Sequence, residues 1–276
     1  MRVALRRAAH QILDDPKVFD DPLALRIVGE RAAAAIRSGV DSRAQSRFAR
    51  YLRAFLAARS RYAEDALASA REHEVNQYVI LGAGLDTSAY RGRSGGSREP
   101  LRVFELDHPA TQAWKREMLD RAGIAVPEWV AFVPLDFESQ TLAEGLRGAG
   151  LDTGQPAFFS WLGVVPYLRR DAILATLSFV GSLPAGSAIV FDYGIPPSSL
   201  PLLQRAVYRY LARRVAAAGE PFHTFFDPSE LAAILREAGF ARVEDLGPSE
   251  INDRYFSGRA DGLRVGSAGR LVRAAV

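Results

Sequence analysis

The chain contains no cysteine. This absence excludes disulfide bonds, thiolate metal ligands and a cysteine nucleophile, and it suits a reducing compartment. The chain also has no run of about 18 apolar residues, so no membrane-spanning helix is expected. The first residues, MRVALRRAAHQILDD, are basic but become polar too soon for a signal peptide. We therefore expect a cytoplasmic protein with no membrane partner.

Lysine is also scarce, since Lys17 and Lys115 are the only two lysines among 35 basic residues. The arginines are interspersed with acidic residues and alanines, and the formal net charge is only +3. Binding to nucleic acid requires a concentrated basic surface that neutralises phosphates. No nucleic-acid partner is therefore expected.

Residues 1–74 are rich in alanine and arginine and have a helical pattern. Apolar side chains at Phe48, Leu52, Phe55 and Leu56 recur at helical spacing and predict an amphipathic helix with one packed face. We expect this segment to form an N-terminal helical cap that belongs to the same domain as the rest of the chain.

From residue 75 onward, short apolar runs alternate with helical or loop segments. The runs that predict strands lie at 77–81, 101–106, 130–135, 157–162 and 188–193. Continuously apolar strands between helices indicate a parallel sheet covered on both faces, which is a Rossmann-like α/β fold. Such sheets bind ligands at the carboxyl ends of their strands. Two further strands near the C-terminus are expected to form a hairpin-like pair at the sheet edge.

The segment after the fifth predicted strand, at about 195–225, is longer than an ordinary connection and contains a helical pattern. A long insertion at the carboxyl edge of a sheet predicts a lid. The next helix has clear boundaries, with Asp227 as its N-cap, Pro228 in its first turn and Gly239 at its end.

The first predicted strand leads into the glycine turn VILGAGLDTSAYR. Gly82 and Gly84 allow a tight turn and close approach to a ligand. Dinucleotide sites have a third glycine where this chain has Thr87, and Asp86 would compete with a pyrophosphate for backbone donors. An acidic residue suits S-adenosylmethionine, which carries an ammonium and a sulfonium and no phosphate. The alternatives are that Asp86 only caps the next helix, or that the sheet binds NAD as an oxidoreductase does.

Acidic residues also end the second and third predicted strands. Asp107 or Glu105, on one face of the second strand, is expected to receive the ribose hydroxyls, and Asp107 is nearer the carboxyl end. Asp136 is expected to accept from the adenine amino group, with Phe137 against the ring. In each case the alternative is that the acid caps the following helix.

Together, the stretches VILGAGLDTSAYR, FELDHPATQAWKRE, VPLDFE, FFSWLGVVPYL and IVFDY resemble the leucine carboxyl methyltransferase-like branch of the class I S-adenosylmethionine-dependent methyltransferases. The resemblance implies that Arg59 pairs with the cofactor carboxylate and that Gly82 lines the methionine part. It also implies ribose contacts for Asp107 and adenine contacts for Asp136 and Phe137. Lys17 lies one position away from a cofactor-contacting lysine of the family.

The resemblance also bears on the methyl acceptor. Family members that methylate proteins carry a glutamate where this chain has Trp161, and the stretch also holds Phe159 and Tyr167. We therefore expect O-methylation of a small-molecule carboxylate or hydroxyl, for example a polyketide-like metabolite. The alternative is a non-catalytic, cofactor-binding member, and the oligomeric state is left open.

Only a hydroxyl acceptor needs a general base, because a carboxylate is already ionised. His223, His108 and Tyr193 are the candidates near the predicted acceptor side, and for each a structural role is the simpler interpretation. No Ser-His-Asp signature and no His/Glu spacing typical of a metal site occurs, so neither a hydrolase nor a metal site is expected.

Overall fold

A twisted seven-stranded sheet forms the centre of the molecule in a computed structural model. The structure describes residues 1–39, 46–92, 100–136, 140–199, 205, 222–267 and 269–276. The strands are β1 (Gln77–Leu81), β2 (Arg102–Asp107), β3 (Val130–Pro134), β4 (Ala157–Trp161), β5 (Ala188–Gly194), β6 (Arg242–Leu246) and β7 (Gly269–Ala275).

The strand order is β3-β2-β1-β4-β5-β7-β6. Neighbouring strands among β1 to β5 pair in parallel, and β7 is antiparallel to both β5 and β6. After β1 the chain builds the sheet to one side through β2 and β3, and then returns to add β4 on the other side. The point between β1 and β4 is therefore the topological switch, where ligands of such sheets bind. The predicted Rossmann-like α/β fold is confirmed.

The five predicted parallel strands occur within one or two residues of their expected bounds. Every residue of β1 and of β4 is buried, as expected for strands covered on both faces. The predicted C-terminal pair is confirmed, since β6 and β7 are consecutive in the chain, pair antiparallel and lie at the edge of the sheet. A helix at Pro248–Tyr255, with Ile251 fully buried, connects β6 to β7, and β7 inserts between β5 and β6.

Helices cover both faces of the sheet. They are α1 (Arg2–Leu13), α2 (Ala24–Ile27), α3 (Glu30–Arg37), α4 (Arg47–Glu72), α5 (Pro109–Arg121), α6 (Leu142–Gly148), α7 (Arg170–Gly181), α8 (Pro228–Glu237) and α9 (Pro248–Tyr255). No helix within these described parts of the chain is long and apolar enough to cross a membrane.

Helix α4 packs on one face of the sheet through a row of small side chains. Ala54, Ala58 and Ala66 are almost fully buried and share a core with Tyr78 and Phe158 of the sheet. Small residues let the helix backbone approach the sheet closely. The other face is covered by α6, α7 and α8 over a second apolar core.

The segment before α4 packs at the side of this assembly. Its helices α1 and α2 form a core with α5 and with Leu85 of the glycine turn. The predicted N-terminal cap therefore touches both the sheet, through α4, and the turn that follows β1.

The predicted lid falls largely on residues 200–204 and 206–221, which lie outside the described residues. After this stretch the chain packs against the segment after β4, where the His223 N–H donates to the carbonyl of Pro166 at 2.7 Å. Helix α8 then begins as predicted, because the Asp227 carboxylate accepts from the Ser229 N–H at 2.9 Å and Pro228 occupies the first turn.

Candidate functional site

The glycine turn after β1 has the backbone conformation that its sequence predicts. Gly82 and Gly84 have φ angles of 67° and 46°, in the left-handed region that glycine adopts without strain. The N–H groups of Gly82 and Ala83 both donate to the carbonyl of Leu106, at 2.8 and 3.0 Å. A Cβ atom on Gly82 would overlap the side chain of Val164. The turn thus fits between the ends of β2 and β4 only because residue 82 is glycine.

Asp107 joins the end of β2 to this turn. One carboxylate oxygen accepts from the Gly84 N–H at 2.6 Å, and the other accepts from the His108 N–H at 2.8 Å. A carboxylate has about four acceptor positions, so these bonds leave capacity for hydroxyl donors. Helix α5 is capped instead by His108, whose Nδ1 accepts from the Ala110 N–H at 3.2 Å. This bond assigns His108 a capping role.

Glu105, two residues earlier on the same face, is fully buried. Its carboxylate lies 2.7 Å from the Lys115 ammonium and accepts from the Tyr90 hydroxyl at 2.8 Å. Burial raises the pKa of Glu105 above its usual value. Because this carboxylate is enclosed by an interior pair, Asp107 is the better candidate for a ligand at the sheet edge.

Asp86 is paired with groups of the protein itself. Its Oδ1 accepts from the Ser88 N–H at 2.8 Å, and its Oδ2 lies 3.5 Å from the Arg7 guanidinium. Burial opposes ionisation, but the positive charges of Arg7 and Lys115 outweigh it and hold the pKa of Asp86 below its usual value. Asp86 therefore has partners within the protein, at Ser88 and Arg7, and direct contact with the cofactor stays a prediction.

Arg59 reaches from α4 to the carboxyl ends of β4 and β5. Its Nη1 lies 3.1 Å from Asp192 Oδ2, and both side chains are at most a tenth exposed. The other Asp192 oxygen accepts from the Gly163 N–H at 2.5 Å. Because a guanidinium has five donors, this ion pair leaves Nε and Nη2 for another anion.

Asp192, the partner of Arg59, is a candidate site residue that the sequence analysis did not single out. It lies in the IVFDY stretch at the end of β5, and an acid in that position is the signal that could have identified it. A Cβ atom at residue 163 would lie 2.7 Å from Arg59 Nη1, so Gly163 leaves the room that Arg59 occupies.

Asp136 follows β3, is half-buried, and forms a local turn with Gln140. The Asp136 N–H donates to Gln140 Oε1 at 3.2 Å, and the Gln140 N–H donates to the Asp136 carbonyl at 2.9 Å. Phe137 lies outside the described residues. Lys17 lies at the surface and pairs with Asp20 at 2.8 Å.

Aromatic side chains cluster near the carboxyl ends of β4 and β5. The ring centroids of Tyr167 and Phe222 are 5.4 Å apart, and those of Phe222 and Phe225 are 6.4 Å apart. Thr224 anchors this segment by donating its hydroxyl hydrogen to the Leu168 carbonyl at 2.6 Å. The exposed His223 lies within the same segment. We call Tyr167, Phe222 and Phe225 the aromatic cluster.

Three other predicted acceptor-side residues belong to the core. Phe159 and Trp161 are fully buried on the face covered by α6, α7 and α8. Tyr193 is 2% exposed, and its hydroxyl donates to Asp245 at 2.7 Å. Burial raises the pKa of Tyr193, which favours a packing role over that of a base. Within the described ranges, no group of acidic and histidine side chains is arranged to hold a metal ion.

Comparison with known proteins assigns the family. A family model for leucine carboxyl methyltransferase matches residues 1–181. This chain belongs to the leucine carboxyl methyltransferase family. A Bacillus subtilis (strain 168) relative, which bears the name of an S-adenosyl-L-methionine-dependent methyltransferase, YktD, is 32% identical over 94% of this chain and 91% of its own length. A Mycobacteroides abscessus relative named for the same activity is 30% identical over 75% of this chain and 67% of its own.

Solved structures support the fold of this leucine carboxyl methyltransferase family member. A DUF574 family protein from Streptomyces avermitilis MA-4680 aligns over 91% of this chain and 94% of its own, with 21% identity and a TM-score of 0.56. A protein from Thermobifida fusca YX, named as a methyltransferase, aligns over 98% and 93% with 14% identity and a TM-score of 0.58.

The predicted cofactor follows from family membership. The relatives are named as S-adenosylmethionine-dependent methyltransferases, and S-adenosylmethionine is the cofactor of this leucine carboxyl methyltransferase family member. The methyltransferase interpretation therefore replaces the NAD-dependent alternative.

Proposed function

We propose that the protein transfers the methyl group of S-adenosylmethionine to an oxygen atom of a small-molecule acceptor. The observation that carries this proposal is the aromatic cluster, which lies beside the carboxyl ends of β4 and β5. Flat aromatic surfaces favour an aromatic or extended apolar acceptor, such as a polyketide-like acid or phenol. We place the reaction in the cytoplasm, which suits a chain without cysteine.

The proposed cofactor position uses the turn and the neighbouring strand ends. Gly82 and Gly84 allow close backbone approach to the methionine part, and the unused donors of Arg59 suit its carboxylate. Asp107 would accept from the ribose hydroxyls, and Asp136 with Phe137 would receive the adenine. In this arrangement the cofactor carboxylate meets a guanidinium, and the neutral donors of the ribose and the adenine meet carboxylate acceptors.

The chain's contribution to the reaction is alignment. S-adenosylmethionine supplies an activated methyl group and its own leaving group, so the protein must hold the acceptor oxygen in line with the methyl carbon. A carboxylate acceptor arrives ionised. A hydroxyl acceptor must lose a proton, and His223 is then the side chain that we propose as base, because it lies beside Phe222 of the aromatic cluster.

A transfer assay with methyl-labelled S-adenosylmethionine tests this function. Aromatic and polyketide-like carboxylic acids, phenols and a peptide with a free C-terminal leucine would be offered in parallel. Alkaline treatment releases labelled methanol from a methyl ester but not from a methyl ether, so it identifies the acceptor group. We expect label on a small acid or phenol, and His223→Ala should lower the rate only with a hydroxyl acceptor.

Two outcomes would contradict the proposal. Label on the peptide carboxylate alone would assign protein methylation. Tight cofactor binding without transfer to any acceptor would favour the alternative of a non-catalytic, cofactor-binding member.

A further inference from the structure

The distal half of the glycine turn, residues 85–87, is held by the N-terminal segment of the chain. From α1, the Arg7 guanidinium donates to the carbonyl of Leu85 and lies 3.5 Å from the Asp86 carboxylate. The Thr87 hydroxyl donates to Asp21 at 2.7 Å. Three consecutive turn residues are thus bound by two side chains that lie more than 60 positions away in sequence.

Asp21 joins these contacts into one unit. Its side chain is fully buried, and its Oδ2 accepts from Thr87 while lying 2.9 Å from Arg7 Nε. The other oxygen accepts from the Leu23 N–H at 3.1 Å, which fixes Asp21 at the start of the segment leading into α2. We call Arg7 and Asp21 the turn clamp.

The physical chemistry of the turn clamp makes it rigid. A buried carboxylate and a buried guanidinium each require partners, and here the two lie within ion-pair distance of each other while both also bind the turn. The bonds from Arg7 to the Leu85 carbonyl and from Thr87 to Asp21 each include one charged partner, and such bonds are stronger than neutral ones and fix direction as well as distance. The proximal half of the turn is set independently, by the bonds of Gly82 and Ala83 to Leu106.

We propose that Arg7 and Asp21 are positioning residues, which hold residues 85–87 in the conformation that receives S-adenosylmethionine. Neither residue needs to touch the cofactor. The N-terminal segment then takes part in cofactor affinity as well as in packing. This inference rests on the proposal that the glycine turn binds the cofactor.

The test compares Arg7→Met with a matched control, Arg53→Met. Arg53 is equally buried and forms a bidentate ion pair with Asp14, at 2.6 and 2.7 Å, but its pair lies on the α1–α4 side of the cap. Calorimetric titration of the purified full-length variants with S-adenosylhomocysteine gives the Kd, and urea unfolding gives the stability. We expect both variants to lose stability. Only Arg7→Met should raise the Kd, by about tenfold or more.

A milder pair of variants decides the question where Arg7→Met does not fold. Thr87→Val keeps the shape of the side chain and removes its hydrogen bond to Asp21, while Thr87→Ser keeps the hydroxyl. We expect Thr87→Val to raise the Kd several-fold, because it loses a hydrogen bond from a neutral donor to a charged acceptor. Thr87→Ser keeps that bond and should have nearly the Kd of the unmutated protein.

Equal affinities in Arg7→Met or Thr87→Val and the unmutated protein would overturn the positioning role. An equal change of the Kd in Arg7→Met and Arg53→Met would also overturn the positioning role. Asp107→Ala serves as a separate arm. If Asp107→Ala weakens binding and the turn-clamp variants do not, only the positioning role fails. If Asp107→Ala has no effect, the proposed cofactor position fails, and the positioning role fails with it.

Discussion

Asp107 and Glu105 lie two residues apart on β2, and their carboxylates have different surroundings. Glu105 is enclosed with Lys115 and Tyr90, whereas Asp107 is half-buried and bonded to the backbone of the glycine turn. The strand pattern places both on one face, but it does not contain Lys115, which comes from α5. The sequence therefore predicted the pair of candidates, and the packing of α5 distinguishes them.

At the residue scale, Asp107→Ala should weaken binding of S-adenosylhomocysteine by roughly 10- to 100-fold, because hydrogen bonds to a charged group each contribute about 1.5–3 kcal/mol. Asp152→Ala is the control. Asp152 also accepts from a glycine N–H in a turn, at 2.9 Å from Gly154, but it lies near the amino end of β1. Calorimetry of both variants measures the difference, and equal Kd values would place the ribose elsewhere.

The C-terminal ends of helices α7 and α8 are in close contact at two glycines, Gly181 and Gly239. A Cβ atom on Gly181 would overlap the carbonyl oxygen of Ala238, and one on Gly239 would lie 2.8 Å from the carbonyl oxygen of Gly181. Gly239 also has a φ of 104°, which ends α8 in the left-handed region. The sequence predicted the stop at Gly239, but the role of Gly181 depends on contact with a distant helix.

At the element scale, Gly181→Ala should lower the free energy of unfolding by about 1–3 kcal/mol, because backbone atoms must move to admit the methyl group. Gly148→Ala in α6 is the matched control, since nothing lies within 4 Å of the added Cβ. That change should be neutral or stabilise by up to about 1 kcal/mol. Urea unfolding of the two variants measures both effects. Equal destabilisation of both would contradict the close approach of α7 and α8.

The docking of the N-terminal cap links the stability of the whole molecule to pH. Asp14 follows α1 and binds Arg53 of α4 and His10, at 2.6 and 2.8 Å. Burial raises the pKa of Asp14, but these hydrogen bonds and charges outweigh it and hold the pKa below its usual value. A depressed carboxyl pKa contributes stability above the unfolded pKa of about 3.9, and the contribution is lost as pH falls through the folded value.

At the scale of the whole molecule, Asp14→Asn should lower the free energy of unfolding at neutral pH by about 3–5 kcal/mol, because it leaves Arg53 buried without its carboxylate. The difference from the unmutated protein should narrow as pH falls below about 4, because Asp14 is then protonated first in the unfolded chain and, at lower pH, in the folded protein. Urea unfolding between pH 3 and 7 measures this. The control, Asp65→Asn, removes an exposed pair with Arg61 and should change stability by at most about 1 kcal/mol. A constant difference across this pH range would contradict the ionised pair.

The sequence by itself determined the parallel strands, the glycine turn and the family, because each depends on a local pattern. Continuous apolar runs form strands, and glycines at 82 and 84 permit the left-handed turn. The sequence did not determine which way a fully buried strand presents its side chains. The family resemblance placed Trp161 at the acceptor side. Both faces of β4 are buried, so the strand pattern did not show that Trp161 packs in the core covered by α6, α7 and α8.

Only the tertiary structure decided which charges meet. Arg59 and Asp192 are 133 residues apart, and Arg7 and Asp86 are 79 apart, so no local spacing connects them. A buried charge is stable only when the fold brings an opposite charge next to it. Here the packing of α1 and α4 beside the sheet determines which charges are paired. Asp86 illustrates the difference. Its sequence position indicated a positively charged ligand, and in the folded protein the neighbouring positive charge is Arg7.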